Sequence, residues 1–349
     1  MSPLVFLKTS LVVFVSFLLG LTAVSARESL IRPPNFPVIG GPQLPDAQIG
    51  LFYQSFQDAI FLAKHAAMYW PCDPTIDKTF LRYFRPENAR FVRDMFRTIA
   101  NIPLNLDLTD KDAVAQLAGQ PLSYHPKYNR LSIYFLGDHP GLPKDPSARL
   151  FCGTSGTKQA HTRTEPDGSS ALISVCKATF RSSPMLKDVT NPPAWAIDPN
   201  KDQTHKTQFY DGFGCENLGD TDSDYMDSPG AVVLHELLHF PGLFADVPSY
   251  AAMIPSRSGQ PLHLIEDWWG PSPVDGYGAY NAMLISKTPP KDRDGRRFLP
   301  IYNADNYAWY AISSYFSREC AKEFQDAPND KAVWKNRHPP PWPFSVSPT

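Results

Sequence analysis

The chain has 349 residues, and its 33 lysine and arginine residues nearly balance 35 aspartate and glutamate residues, for a net charge of −2. This balance gives no support for a nucleic-acid partner, because nucleic-acid-binding domains carry clustered positive charge. Hydrophobic residues make up 42% of the chain, which excludes a mostly disordered protein and allows a large core.

Residues 1–26 are predicted to be a secretory signal peptide. Lys8 supplies a basic start, Leu11 to Leu21 is apolar, and Val24-Ser25-Ala26 provides a small-residue cleavage site. A membrane anchor is disfavoured because the apolar stretch is too short and is interrupted by Ser16. We therefore expect a secreted, extracellular monomer that has no membrane partner once the signal is removed.

The rest of the chain is predicted to hold one large domain between two proline-rich segments. Residues 27–45 are predicted to form an extended Pro/Gly-rich leader, residues 46–325 the folded domain, and residues 326–349 a disordered tail. Because secretion favours disulfides, the five cysteines predict two bridges and one free thiol. Cys152 and Cys176 flank a turn-rich segment and are the first candidate pair.

The domain is predicted to start with helices and to continue with strands. Apolar residues at helical spacing predict one helix from Asp46 to about Trp70 and a second from Glu87 to Ala100. β-rich composition predicts strands at Leu131–Leu136 and Ala171–Val175, with a polar, turn-rich region at 153–170 between them. One of these strands could present an edge to an extended peptide.

Residues 191–230 are predicted to be mostly irregular. Four aspartates in this segment are expected to form a solvated acidic loop, because no matching Gly and distal Glu complete a calcium loop. They are Asp220, Asp222, Asp224 and Asp227. Farther along, we expect a long loop from Leu243 to Pro273 and helices at Tyr277–Ser286 and Asn303–Phe324.

The segment from Ala231 to Gly242 (AVVLHELLHFPG) carries the strongest chemical signal. His235 and His239 are four residues apart, so on a helix both imidazoles can face one ion. Glu236 would then reach a water held on that ion, which is the HExxH pattern of zinc metallopeptidases.

The residues that flank this segment support a helix. Asp227 or Ser228 can cap its start, Pro229 fits its first turn, and Pro241-Gly242 favours an end just after His239. The competing interpretation is a core helix whose histidines are only hydrogen-bonded. The metal site is preferred because the HExxH pattern rarely arises by accident.

A catalytic zinc site needs a third protein ligand and one open position. The metzincin pattern would require His at position 245, but the chain has Ala245, and Asp246 comes one residue late. A gluzincin site would take a downstream glutamate, for which Glu266 is the candidate. The remaining possibility is an aspartate from a downstream loop.

The HExxH helix and its Pro241-Gly242 exit resemble those of the deuterolysin-like family, the aspzincins, which includes peptidyl-Lys metalloendopeptidases. Tyr277-Gly278 is similar to the end of that family's Gly-Thr-x-Asp-x-x-Tyr-Gly motif, and the likeness spans about residues 46–325. Two further similar segments are Ile173–Phe180 and Asn303–Ala308. The resemblance implies an α+β, zincin-like metallopeptidase fold with a small β-sheet beside a helical HExxH core.

The resemblance also implies an aspartate as third ligand and a tyrosine, Tyr277, near the reacting carbonyl. The Gly-Thr-x-Asp piece is absent, and Val274 lies three residues before Tyr277. Asp267, followed by an insertion, is favoured over Asp275. The remaining candidates are His263 and Asp246.

The expected function is therefore zinc-dependent endopeptidase activity on proteins or peptides, with Zn²⁺ as cofactor, Glu236 as general base and Tyr277 as donor to the oxyanion. Asn303 or Asp305 would either orient a zinc ligand or cap a helix. The alternative is a secreted, non-catalytic binding protein on a metallopeptidase scaffold.

Overall fold

The computed structural model of the chain describes residues 38–40, 46–135, 152, 159–180, 185–189, 214–216, 218–256 and 262–329. The predicted signal peptide, nearly all of the predicted leader and most of the predicted tail lie outside these residues. All described residues belong to one compact unit. They form a mixed α+β structure, as expected.

Ten α-helices lie in the described part of the chain. They are α1 (Asp46–Met68), α2 (Lys78–Tyr83), α3 (Ala89–Ile99), α4 (Lys111–Gly119), α5 (Leu186–Val189), α6 (Pro229–Leu238), α7 (Pro241–Phe244), α8 (Tyr250–Met253), α9 (Gly278–Lys287) and α10 (Ala304–Glu319). The five predicted helices correspond to α1, α3, α6, α9 and α10, except that a short 3-10 turn precedes α3 and α10 ends before Phe324. Helices α2, α4 and α5 were not predicted, and the predicted loop from Leu243 to Pro273 contains α8 and the last two residues of α7.

Helix α1 forms the centre of the core. Its apolar side chains Phe52, Phe56, Ile60 and Ala63 recur at helical spacing and are fully buried. The helix packs against α6, α3 and α10, so the HExxH segment on α6 rests on the longest of the described helices.

A four-stranded sheet lies beside the helices, in the order β1 (Val38–Gly40), β2 (Leu131–Phe135), β4 (Ala171–Val175), β3 (Ala160–Thr164). β1 and β4 run parallel to β2, whereas β3 runs antiparallel to β4. β2 and β4 confirm the two predicted strands. The polar, turn-rich region predicted at 153–170 also contains a strand that was not predicted, because residues 160–164 pair with β4.

The cysteine prediction is confirmed. Cys152 is bridged to Cys176 and Cys215 to Cys320, while Cys72 is a free, exposed thiol. Disulfides are compatible with an extracellular protein. Among the described residues, none of the helices combines the length and apolar character that crossing a bilayer would require.

The acidic segment before α6 differs from its prediction. Asp222 is 0% exposed, and its carboxylate lies 3.3 Å from Arg82 Nε while accepting hydrogen bonds from Tyr83 and Ser313 at 2.6 and 2.8 Å. The expectation of a solvated loop was therefore wrong for this residue. It is a buried counter-charge that ties the segment before α6 to α2 and α10.

Replacing Asp222 with Ala should lower the free energy of unfolding by about 3–5 kcal/mol, because it leaves the buried Arg82 guanidinium without a counter-charge. Urea unfolding measures the loss. The matched control is Asp220→Ala, since Asp220 is exposed and pairs with Lys322 at the surface, where ion pairs contribute little. Equal stability of the two variants would contradict the role assigned to Asp222.

Candidate metal centre

Helix α6 is fixed at its start by local hydrogen bonding and close packing. Ser228 is the N-cap, its Oγ accepts a hydrogen bond from Ala231 N at 3.2 Å, and Pro229 occupies the first turn, as predicted. A Cβ at Gly230 would lie 2.4 Å from Asp58 Cβ, so only glycine allows α6 to approach α1 this closely. The helix therefore presents His235 and Glu236 from a rigid, buried position.

The ligand atoms of His235, His239 and Asp267 converge. The two Nε2 atoms are 3.1 Å apart, and they lie 3.2 Å and 3.5 Å from Asp267 Oδ1 and Oδ2 respectively. A tetrahedral zinc site with bonds of 2.0–2.1 Å has ligand atoms about 3.3 Å apart. The three residues could thus hold one metal ion with little movement.

The outer contacts of both histidines leave Nε2 available as a ligand. His235 Nδ1 lies 2.5 Å from Asp305 Oδ1, and His239 Nδ1 lies 2.8 Å from the carbonyl oxygen of Ile265. Both partners are acceptors, so each Nδ1 carries a proton, and in the neutral imidazole each Nε2 then has the lone pair that a metal ion needs. Asp267 Oδ1 is buried and accepts no hydrogen bond from a described residue, as expected of an atom that awaits a cation.

The electrostatics of the site also favour a bound cation. Burial lowers the pKa of His235, but the carboxylates of Asp267 and Asp305 outweigh burial and raise that pKa well above its ordinary value. Burial likewise opposes ionisation of Asp267, yet His239 and His235 hold the pKa of its carboxyl well below the usual range. The site therefore favours positive charge between these side chains, which a metal ion would supply in place of the proton on His235.

The segment between Asp267 and Tyr277, which was predicted to be an insertion, closes on itself like a hairpin. Gly270 N donates to the carbonyl of Val274, and Gly276 N donates to that of Trp268. We call residues 268–276 the insertion loop. Its closure returns Tyr277 to Asp267, so that Tyr277 Oη donates to Asp267 Oδ2 at 2.7 Å.

Tyr277 holds the Asp267 carboxylate against the histidines. Its ring stacks on that of His235 at a centroid distance of 5.8 Å. Burial and the neighbouring Asp267 carboxylate raise the pKa of the Tyr277 phenol far above its usual value, so the hydroxyl stays a proton donor. In this arrangement the Tyr277 hydroxyl donates to Asp267 and so positions that carboxylate. Donation to the oxyanion of the substrate stays a prediction.

Asn303 anchors the two ends of the insertion loop. Its Oδ1 accepts from Trp268 N and its Nδ2 donates to the carbonyl of Gly276, both at 3.0 Å. A Cβ at Gly276 would lie 2.2 Å from Asn303 Oδ1, so glycine is required there. Asn303 also occupies the N-cap position of α10, as the alternative predicted, but its side chain makes no capping hydrogen bond to that helix.

Strand β3, which was not predicted, supplies two further contacts to the site. Thr162 Oγ1 donates to the Glu236 carboxylate at 2.6 Å, and Thr164 Oγ1 donates to the carbonyl of His239 at 2.8 Å. Thr162 and Thr164 are two residues apart in a short polar segment, and this spacing was the sequence signal for the strand. Threonine favours strands, and alternate residues of a strand share one face. Thr162 thus fixes one oxygen of the predicted base.

Asp275 and Glu266 do not join the group of ligand atoms. Asp275 Oδ1 accepts from Tyr277 N and from Asn281 Nδ2 at 3.1 and 2.8 Å, which places it at the start of α9. Glu266 lies in an extended segment that pairs with Asn303, whereas a gluzincin ligand would come from a helix. Of the two predicted aspartates, the structure brings Asp267 to the histidines.

The two minor candidates also lie elsewhere. His263 Nδ1 is 2.6 Å from the carbonyl oxygen of Ile254, and Asp246 forms an exposed ion pair with Lys127 at 2.7 Å. Each has a local partner that explains its position, and neither belongs to the cluster of His235.

Replacing Asp305 with Asn should weaken metal binding about 10- to 100-fold, because it removes the carboxylate that orients His235 and raises the basicity of its imidazole. Asp305 also accepts from Gly278 N at 2.6 Å, which an amide oxygen can still do. Competition with a chromophoric chelator measures the affinity. Asp326→Asn, at an exposed surface pair with Lys287, is the control and should bind metal normally. Equal affinity of the two variants would refute the role.

No protein-family model and no curated protein matches this chain.

Proposed function

We propose that the protein is a secreted, zinc-dependent endopeptidase of the deuterolysin-like type. The observation that carries the proposal is the convergence of His235, His239 and Asp267 at tetrahedral spacing, with Glu236 next to the first ligand on a buried helix. This set contains three protein ligands and a carboxylate base, which is the minimum for a zinc hydrolase. The small sheet beside the HExxH helix supports a zincin-like fold.

Zinc is the metal that these ligands favour. Two imidazoles and one carboxylate at tetrahedral spacing suit Zn²⁺, whereas calcium and magnesium prefer six or more oxygens. When bound, zinc would polarise a peptide carbonyl and bring the pKa of a coordinated water toward neutrality.

Glu236 would move the proton in this reaction. Thr162 occupies its Oε2, so the other carboxylate oxygen is left to take a proton from the attacking water and return it to the departing amine. Tyr277 remains protonated and can donate to the oxygen that gains charge, once its hydroxyl leaves Asp267.

Strand β3 would align the substrate. It is the edge strand of the sheet, and its Thr162 and Thr164 contact the HExxH segment directly. An extended peptide that added to this edge would pass close to Glu236, because Thr162 of β3 already contacts that side chain. This geometry supports protein or peptide substrates.

Metal analysis and a chelator test the proposal together. Purified protein should contain one zinc per chain, cleave casein, lose cleavage with 1,10-phenanthroline and regain it with added zinc. Protein that binds no zinc, or binds zinc and cleaves no casein, would instead favour the non-catalytic binding protein. The closed insertion loop, which brings Asp267 to the histidines, supports the enzyme over this alternative.

A further inference from the structure

A groove lies between the insertion loop and the turn that follows α9. That turn is closed by backbone hydrogen bonds from Phe298 N to the carbonyl of Pro290 and from Asp292 N to the carbonyl of Arg296. The cavity between the two loops has a volume of about 520 Å³. It is lined by Trp268, Trp269, Gly270, Pro271, Val274, Lys291, Asp292 and Arg293.

The lining combines exposed apolar surface with a net positive charge. Trp269 is 66% exposed and Val274 is 63% exposed, which is unusual for large apolar side chains. Asp292 is engaged by its own turn, since it accepts from the backbone N of Arg296 and pairs with that guanidinium at 3.4 Å. Lys291 and Arg293 have no acidic partner among the described residues, so the groove is apolar and cationic.

The groove is linked to the metal centre through two ring contacts. The Trp269 ring lies 5.5 Å from the Tyr277 ring, which in turn lies 5.8 Å from the ring of His235. The Trp269 ring therefore lies at most about 11 Å from the ring of a metal ligand, a distance that about three residues of extended peptide would span. A peptide bound for cleavage at the metal would place a side chain here.

We propose that this groove is a substrate subsite that selects acidic peptide segments. Lys291 and Arg293 pair with a Glu or Asp side chain of the substrate about three residues from the cleaved bond. Trp269 and Val274 pack against the stem of that side chain or an apolar neighbour. The site would favour substrates with acidic and apolar residues on one side of the bond. This inference deepens the proposed endopeptidase function and rests on it.

Binding is tested apart from cleavage. The zinc-loaded E236Q protein is titrated with two fluorescein-labelled decapeptides that differ only in carrying Glu or Lys at three positions. The Glu peptide should bind at least about tenfold more tightly, and the charge reversal K291E/R293E should abolish or invert this preference. The control R90E/K111E makes the same change in net charge on exposed residues outside the groove and should keep the preference.

Cleavage gives the second readout. Wild-type protein is incubated with a mixed peptide library, and the products should be enriched in Glu and Asp about three residues from the cut, with enrichment lost in K291E/R293E. Casein cleavage without acid preference in either assay overturns the subsite and leaves the endopeptidase proposal standing. Selective binding of the Glu peptide without any cleavage supports an acidic-peptide groove and overturns the endopeptidase proposal. Binding of neither peptide overturns the subsite.

Discussion

Replacing Glu236 with Gln should leave zinc bound and reduce casein cleavage by at least about 100-fold and up to about 10⁴-fold, the range for loss of a general acid–base group. Gln keeps the shape of the side chain and can still accept the hydrogen bond from Thr162. It cannot take a proton from the attacking water or pass one to the leaving amine. The expected result is an intact metal site without hydrolysis.

Two measurements on one preparation check this result. Elemental analysis gives the zinc content, and the release of labelled casein fragments gives the rate. Glu319→Gln makes the same chemical change at an exposed position on α10 and should match wild type in both. Wild-type cleavage by the Glu236 variant would refute the mechanism, whereas loss of zinc would show that the side chain is needed to build the site.

The part of the site that lies on one helix could be predicted from the sequence. His235, Glu236 and His239 are fixed relative to one another by helical spacing, and the start of α6 is fixed by Ser228 and Pro229. These are local relations, and the structure confirms the helix and its start. The long apolar stripe of α1 was predictable for the same reason.

The residues that complete the site depend on contacts between distant segments. Asp267 reaches the histidines because the insertion loop closes on itself and Asn303 anchors both of its ends. A sequence pattern with a fixed spacing cannot specify such a loop. It left Asp267 and Asp275 as alternatives, and only the fold separates them.

The same argument explains the two clearest errors. Strand β3 is five residues long and has two polar faces, so its state is set by pairing with β4 and not by its own composition. Asp222 is buried because Arg82, on the distant helix α2, supplies its counter-charge. The sequence around the four aspartates of this segment gives no sign that one of them pairs with a distant arginine.

Replacing Asp267 with Asn should weaken zinc binding by at least about 100-fold. Metal binding worth about 10–16 kcal/mol, shared among three or four ligands, assigns roughly 3 kcal/mol to each, which corresponds to that factor. The variant also loses the charge that the two imidazoles and the Tyr277 hydroxyl now face. Chelator competition at neutral pH measures the affinity, and casein cleavage should fall with the zinc content.

Asp275→Asn and Glu266→Gln are the matched controls, because each removes one carboxylate charge from a competing ligand candidate. Asn at position 275 can still accept from Tyr277 N and Asn281 through its amide oxygen, and Glu266 is held in place by its backbone pairing with Asn303. Both controls should therefore bind zinc like wild type. If the Asp275 or Glu266 variant lost zinc while the Asp267 variant kept it, the third ligand would be reassigned, and the closed insertion loop would no longer explain the site.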